Sequence, residues 1–152
     1  MTKKRAQVAR RSKTELLPIP HNLRDSWSLQ YHLALSTIRA GHGNAFFLGQ
    51  IARVLMISNF LLGAGYEKDS LQVLADAQDA IGQIQQAGES TGNWSTREPA
   101  LWRPIAALLV LYDRQLSRAP TFEVIQAMQQ QERAAEAADN VRAAELALPL
   151  AA

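Results

Sequence analysis

The side chains able to do chemistry are few. His21, His32 and His42 are the three imidazoles, and no cysteine accompanies them. Thiol catalysis, cysteine zinc sites, iron–sulfur clusters and a disulfide scaffold are all excluded with cysteine. No two histidines stand at i, i+4, and none belongs to the Glu-x-x-His pairs from which a helical bundle builds a di-metal centre, so no metal and no cofactor is expected. Gly41-His42-Gly43 and Gly63-Ala64-Gly65 lack the Lys-Ser/Thr ending of a phosphate loop, and no serine lies in a Gly-x-Ser-x-Gly elbow. The chain reads as non-enzymatic; the one catalytic arrangement left to test is a site formed from His32, His42 and Asp113.

What the sequence does concentrate is positive charge. Lys3, Lys4, Arg5, Arg10, Arg11 and Lys13 give the first 13 residues a charge of +6 with no acid among them. The rest of the chain carries ten basic and 14 acidic groups, so the overall +2 is a cancellation between a basic arm and a body of −4. An arm with so little apolar surface cannot offset its ordering entropy by burial and is expected to be disordered through residue 15. Terminal blocks of like charge serve as interaction tails for nucleic acid, or merely as solubilising tails. The arm runs into Thr14-Glu15-Leu16-Leu17-Pro18, which supplies neither the apolar stretch nor the cleavage site of a secretory signal, so a cytoplasmic location is expected. An Arg-rich, acid-poor start is also the composition of a mitochondrial transit peptide.

The elements that would position these groups are helices. Trp27, Tyr31, Ala34, Leu35 and Ile38 make one apolar face, with Asn22 or Asp25 as the expected cap and Gly41-His42-Gly43 as the stop. Asn44 suits the cap of a second helix over 45–62 that is apolar all round. That run is long enough to span a bilayer, but Arg53 near its middle costs about 2.5–3.5 kcal/mol on insertion scales. Several amphipathic helices also need a partner, so a central core helix and no membrane contact are expected. A third helix starts by Asp69 and Gln72, buries Leu71, Leu74, Gln78, Ile81, Ile84 and Gln85, and ends near Gly88. A fourth, with Ser95 and Glu98 at capping-box spacing, carries Leu101, Ile105, Leu108, Leu109, Tyr112 and Leu116; Pro104 predicts a start near Arg103 or a kink. A fifth begins at Pro120-Thr121 with Phe122, Ile125 and Met128 inward, then turns Ala- and Gln-rich, which predicts that it projects or frays beyond Glu132. The expected fold is all-α, with four main helices in a bundle plus a partly packed C-terminal helix. Its organisation is an arm over 1–15, a bundle domain over 16–132, and a helical extension with a loose tail over 133–152.

The blocks Ser28-Leu29-Gln30-Tyr31-His32-Leu33-Ala34-Leu35 and Arg39-Ala40-Gly41-His42-Gly43-Asn44, with Tyr112-Asp113-Arg114-Gln115-Leu116 further on, resemble short, functionally unassigned bacterial proteins of Burkholderia-type genomes and integrated elements. Some of these are labelled Fis-type transcriptional regulators. Fis proteins end in a basic helix–turn–helix, whereas this chain ends in alanine, glutamine and acids. The resemblance implies a regulatory or accessory role, with His32, Arg39, His42 and Asn44 as a partner-binding surface at the turn between the first two helices. The partners expected are nucleic acid through Lys3, Lys4, Arg5, Arg10, Arg11 and Lys13, and a protein or a second copy of the chain through the bundle. The alternative is a protein–protein adaptor whose arm serves only solubility.

Overall fold

A computed structural model describes residues 10–147, and those residues are all-α. The helices are α1 Lys13–Leu16, α2 His21–Arg39, α3 Ala45–Gly63, α4 Leu71–Thr91, α5 Pro99–Arg118 and α6 Thr121–Ala147, with one 3-10 turn at Lys68–Ser70 ahead of α4. Lys3, Lys4, Arg5 and the expected loose tail beyond Ala147 lie outside the described residues.

The end of the arm departs from the expected disorder. Ser12 accepts a hydrogen bond at Oγ from the Glu15 N–H, and the Glu15 carboxylate accepts one from the Ser12 N–H at 2.8 Å, a capping box that nucleates the single turn of α1. The Arg11 guanidinium lies 3.4 Å over the Phe122 ring, so the arm's last residues rest on the start of α6. Immediately after, the Leu17 carbonyl accepts from both the N–H and the hydroxyl of Thr121, each at 2.7 Å, Pro18 bridges to Pro120, and Ile19 is buried. The proline-bounded connector is therefore a clasp that closes the chain onto the α5–α6 junction.

The apolar run around α3 forms the centre: it packs against α2, α4, α5 and α6, burying Leu48, Ile51, Val54, Ile57 and Leu61. Asn44 caps it as expected, its Oδ1 accepting from the Phe47 N–H at 3.0 Å. α2 buries the expected Tyr31, Ala34, Leu35 and Ile38, but it starts directly after Pro20 with no side-chain cap, and Asp25 instead pairs with His21 at 2.7 Å. α5 buries the expected Ile105, Leu108, Leu109, Tyr112 and Leu116 together with Leu111 and Gln115, with Leu101 only partly buried, and runs unbroken through Pro104.

Two faces differ from expectation. α4 buries Leu74, Ala77, Ala80, Ile81, Ile84 and Gly88, while Leu71, Gln78 and Gln85 are exposed: the alanines allow close approach to α5, which turns the larger residues at the margins outward. It also passes Gly88 and ends at Thr91, where Gly92 takes the left-handed φ of +78° that closes the helix. Gly88 is an interior contact, because the Trp94 ring occupies the space a Cβ would need. α6 buries Val124, Ala127 and Gln131; of the expected Phe122, Ile125 and Met128, Met128 packs partly buried against the core, Phe122 is half-buried and Ile125 is 44% exposed. Beyond Ala134 it continues as a fully exposed helix to Ala147.

The Ser95–Glu98 capping box does not form. The Ser95 Oγ accepts from the Gly43 N–H at 2.8 Å, and the Glu98 N–H donates to the Thr96 hydroxyl at 3.1 Å. The Thr96 N–H donates to the Ile38 carbonyl at 3.2 Å, so residues 93–98 are bonded across to the end of α2 before α5 begins.

Candidate functional site

α2 and α5 run antiparallel, and their shared face carries both arrangements of chemical interest. At its middle, His32 Nε2 lies 3.0 Å from Asp113 Oδ2, with both side chains partly exposed. Beneath them Tyr31 and Tyr112 meet edge to face at 5.7 Å, and burial raises both phenols above their ordinary pKa, against the opposing pull of the Arg53 guanidinium. Arg53 itself reaches Glu132 at 3.5 Å, which ties α3 to α6. A histidine–carboxylate pair of this kind fixes an imidazole tautomer and can support proton transfer, but it needs a nucleophile or a substrate pocket beside it. The phenols beneath the pair are held protonated by burial, and His42 sits past the end of α2, about 15 Å along the helix from His32. Of the three residues of the possible catalytic arrangement, two come together and the third does not. Among the described residues no group of three His, Asp or Glu could hold a metal ion.

At the other end of the same helix pair is a basic recess of about 340 Å³. Arg39 in the last turn of α2 lies with its guanidinium 3.6 Å over the Trp102 ring of α5, and Ser36, Ala40 and Arg97, the last from the bonded segment 93–98, complete the lining. Arg103 stands 5.6 Å from the same ring. Among the described residues none of these three arginines is within ion-pairing distance of a carboxylate, including Glu98 next to Arg97. The Arg39 stack contributes about 0.5–1 kcal/mol at an exposed site and leaves the guanidinium edge facing outward.

The other basic residues of α5 are neutralised. Arg118 and Arg114 lie 2.9 and 3.8 Å from the Glu67 carboxylate, which comes from the turn after α3, where Glu67 holds a left-handed φ of 60°. The neighbouring Tyr66 phenol is pushed up to about 12 by burial and then by the Glu123 carboxylate. The larger groove between the end of α3 and α6, about 540 Å³, is lined by Asn59, Phe60, Gln126 and Gln130 with Glu123 as its one charged group.

The four residues named from the sequence as a partner surface are thus spread out. Asn44 is engaged as a helix cap, His32 faces Asp113, and His42 is exposed in the turn with its N–H donated to the Thr37 carbonyl; Arg39 alone reaches the recess. Arg10, Arg11 and Lys13 are exposed beside the start of α6. Arg97 was missed because an arginine in a polar loop carries no periodic signal, and only the Thr96–Ile38 bond brings its segment to α2. The Arg39–Trp102 stack joins residues far apart in sequence. No family model, curated protein or solved structure matches the chain.

Proposed function

We propose that the protein is a non-enzymatic accessory or regulatory protein of a bacterium or mobile element, which contacts nucleic acid through its basic arm while the helical body binds a protein partner or a second copy of the chain. The body in this reading is a four-helix bundle of α2 to α5 with α6 partly packed on it, cytoplasmic and with no role in a membrane. The observation that carries the reading is the segregation of charge: +6 in the first 13 residues against −4 in the rest. The described members Arg10, Arg11 and Lys13 are exposed and have no carboxylate partner among the described residues. Such charge displaces counterions from a phosphate backbone and gives affinity without base readout, which suits a chain that lacks a basic helix–turn–helix.

The test is binding of the full chain to a random-sequence labelled duplex across a salt series. Replacing Lys3, Lys4, Arg5 and Arg10 by Gln is expected to weaken binding at low salt at least a hundredfold and to flatten the log–log salt slope by about 0.9 for every phosphate no longer neutralised. Absence of binding by the intact protein at low salt overturns the reading. A stable protein complex that survives high salt, with no nucleic-acid binding, establishes the adaptor in its place.

A further inference from the structure

We propose that the recess lined by Arg39, Arg97 and Trp102, with Arg103 next to the indole, is a second nucleic-acid contact, a preformed seat for backbone phosphate remote from the arm. It rests on the nucleic-acid reading and adds to it a site on the folded body.

The first support is electrostatic. Arg39 and Arg97 line the recess with the Trp102 indole, and Arg103 stands 5.6 Å from the same ring, with no carboxylate in ion-pairing distance of any of the three among the described residues, on a body whose net charge is negative. Elsewhere in the body Arg53 is paired with Glu132, and Arg114 and Arg118 share Glu67, whereas Arg24, Lys68, Arg133 and Arg142 stand singly along their elements without an ion pair among the described residues. A structural role explains Arg39, which sits in the last turn of α2, where a cation suits the helix dipole. It does not extend to Arg97 and Arg103, which lie outside that last turn and have no carboxylate partner among the described residues.

The second support is rigidity. Arg39 is held flat on Trp102, so its fork of N–H donors is oriented before any ligand arrives. Arg97 belongs to a segment fixed by the Thr96 N–H to Ile38 carbonyl bond, the Gly43 N–H to Ser95 Oγ bond, and the wedge of Trp94 against Gly88. Guanidiniums ordered in advance lose little freedom on binding. The indole face turned to Arg39 is covered by it, so the recess offers charge and hydrogen bonds and no stacking platform there. That favours phosphate over an unpaired base. Trp102 stands about 24 Å along α5 from Arg118, beside the arm's docking point, so a bound polyanion meets basic groups at both ends of the helix.

The experiment compares full-length variants for binding to the same labelled duplex over a salt series, with circular dichroism to check folding. Arg39→Gln with Arg97→Gln is expected to weaken binding at least tenfold at low salt and to flatten the slope by about 1.8, two phosphates at about 0.9 each. Arg39→Lys with Arg97→Lys is expected to restore most of the slope. Arg133→Gln with Arg142→Gln, the same change of charge on the exposed part of α6, is expected to leave both nearly unchanged. If the recess pair behaves like the α6 pair while the arm variants lose binding, the recess is overturned and the arm reading stands. If the arm variants bind normally and the recess pair does not, the arm reading falls and the recess remains. Absence of binding by the intact protein removes both, and displacement of the duplex by polyglutamate at equal charge overturns the assignment to nucleic acid.

Discussion

At the scale of single residues, the polar groups of the interior fasten helices together. Gln115 is fully buried and donates from Nε2 to the carbonyls of Ser58 at 3.0 Å and Tyr66 at 3.3 Å, which locks the turn after α3 onto α5. All three tyrosines of the chain are held neutral above the ordinary value of 10.0, Tyr31 and Tyr112 chiefly by burial, Tyr66 by burial with Glu123 beside it. Below that pH the phenols are protonated in both folded and unfolded chains and contribute no pH dependence. Above it the unfolded chain ionises first, so stability falls as pH rises through the raised folded values. Phenolate absorbance is therefore expected to show no step near pH 10 while helical dichroism persists, and to rise only together with the loss of helix. Tyr112→Phe removes one of the three groups and is expected to make the alkaline fall in melting temperature shallower. An ordinary titration step in the folded protein would contradict the burial. None of these pairings was legible in the sequence: Gln115 and Tyr112 stood in a recognisable block, but their partners come from other helices.

At the scale of elements, helix existence and most inward faces were legible because large apolar residues recur at helical spacing in α2, α3 and α5. The ends were less so. α2 begins with no capping side chain, the serine of the Ser95–Glu98 spacing bonds to Gly43 instead, and α4 runs through a glycine that reads as a stop. Faces built from alanine and glycine, as in α4, escape a search for large side chains. The two interior glycines of α4 separate propensity from packing. Gly82 has open space around its missing side chain, and Gly82→Ala is expected to stabilise by about 0.5–1 kcal/mol through helix propensity. Gly88 meets the Trp94 ring, so the same change there forces overpacking that costs about 1–3 kcal/mol, outweighs the propensity gain and loosens the segment bearing Arg97. Chemical denaturation of the two variants is expected to move the midpoint in opposite directions. A stabilised Gly88→Ala protein would mean that the Trp94 wedge does not hold the loop.

At the scale of the whole molecule, α3 is the hub and α6 the periphery. Ile51, Val54, Ile57 and Leu61 are fully buried, and every other long helix touches α3. α6 joins this hub through Val124, Ala127 and Gln131, then extends past Ala134 as an exposed helix with nothing packed against it among the described residues. The composition announced that change, since alanine favours helix but offers little surface to bury; what it left open was whether the extension stays helical. Residues 136–147, about 18 Å of helix, are held only by propensity and by continuation from the packed part, and an isolated helix shorter than about 12–15 residues is marginal in water. Local opening there does not disturb the core, so protection should divide sharply within one continuous helix. Hydrogen exchange is expected to find amides 136–147 nearly unprotected, those of Ala127 and Met128 intermediate, and those of Ile57 and Leu108 exchanging only by global unfolding. Protection of 136–147 that grows with protein concentration would show that a second copy covers the extension, and protection equal to the core at every concentration would contradict the exposed helix.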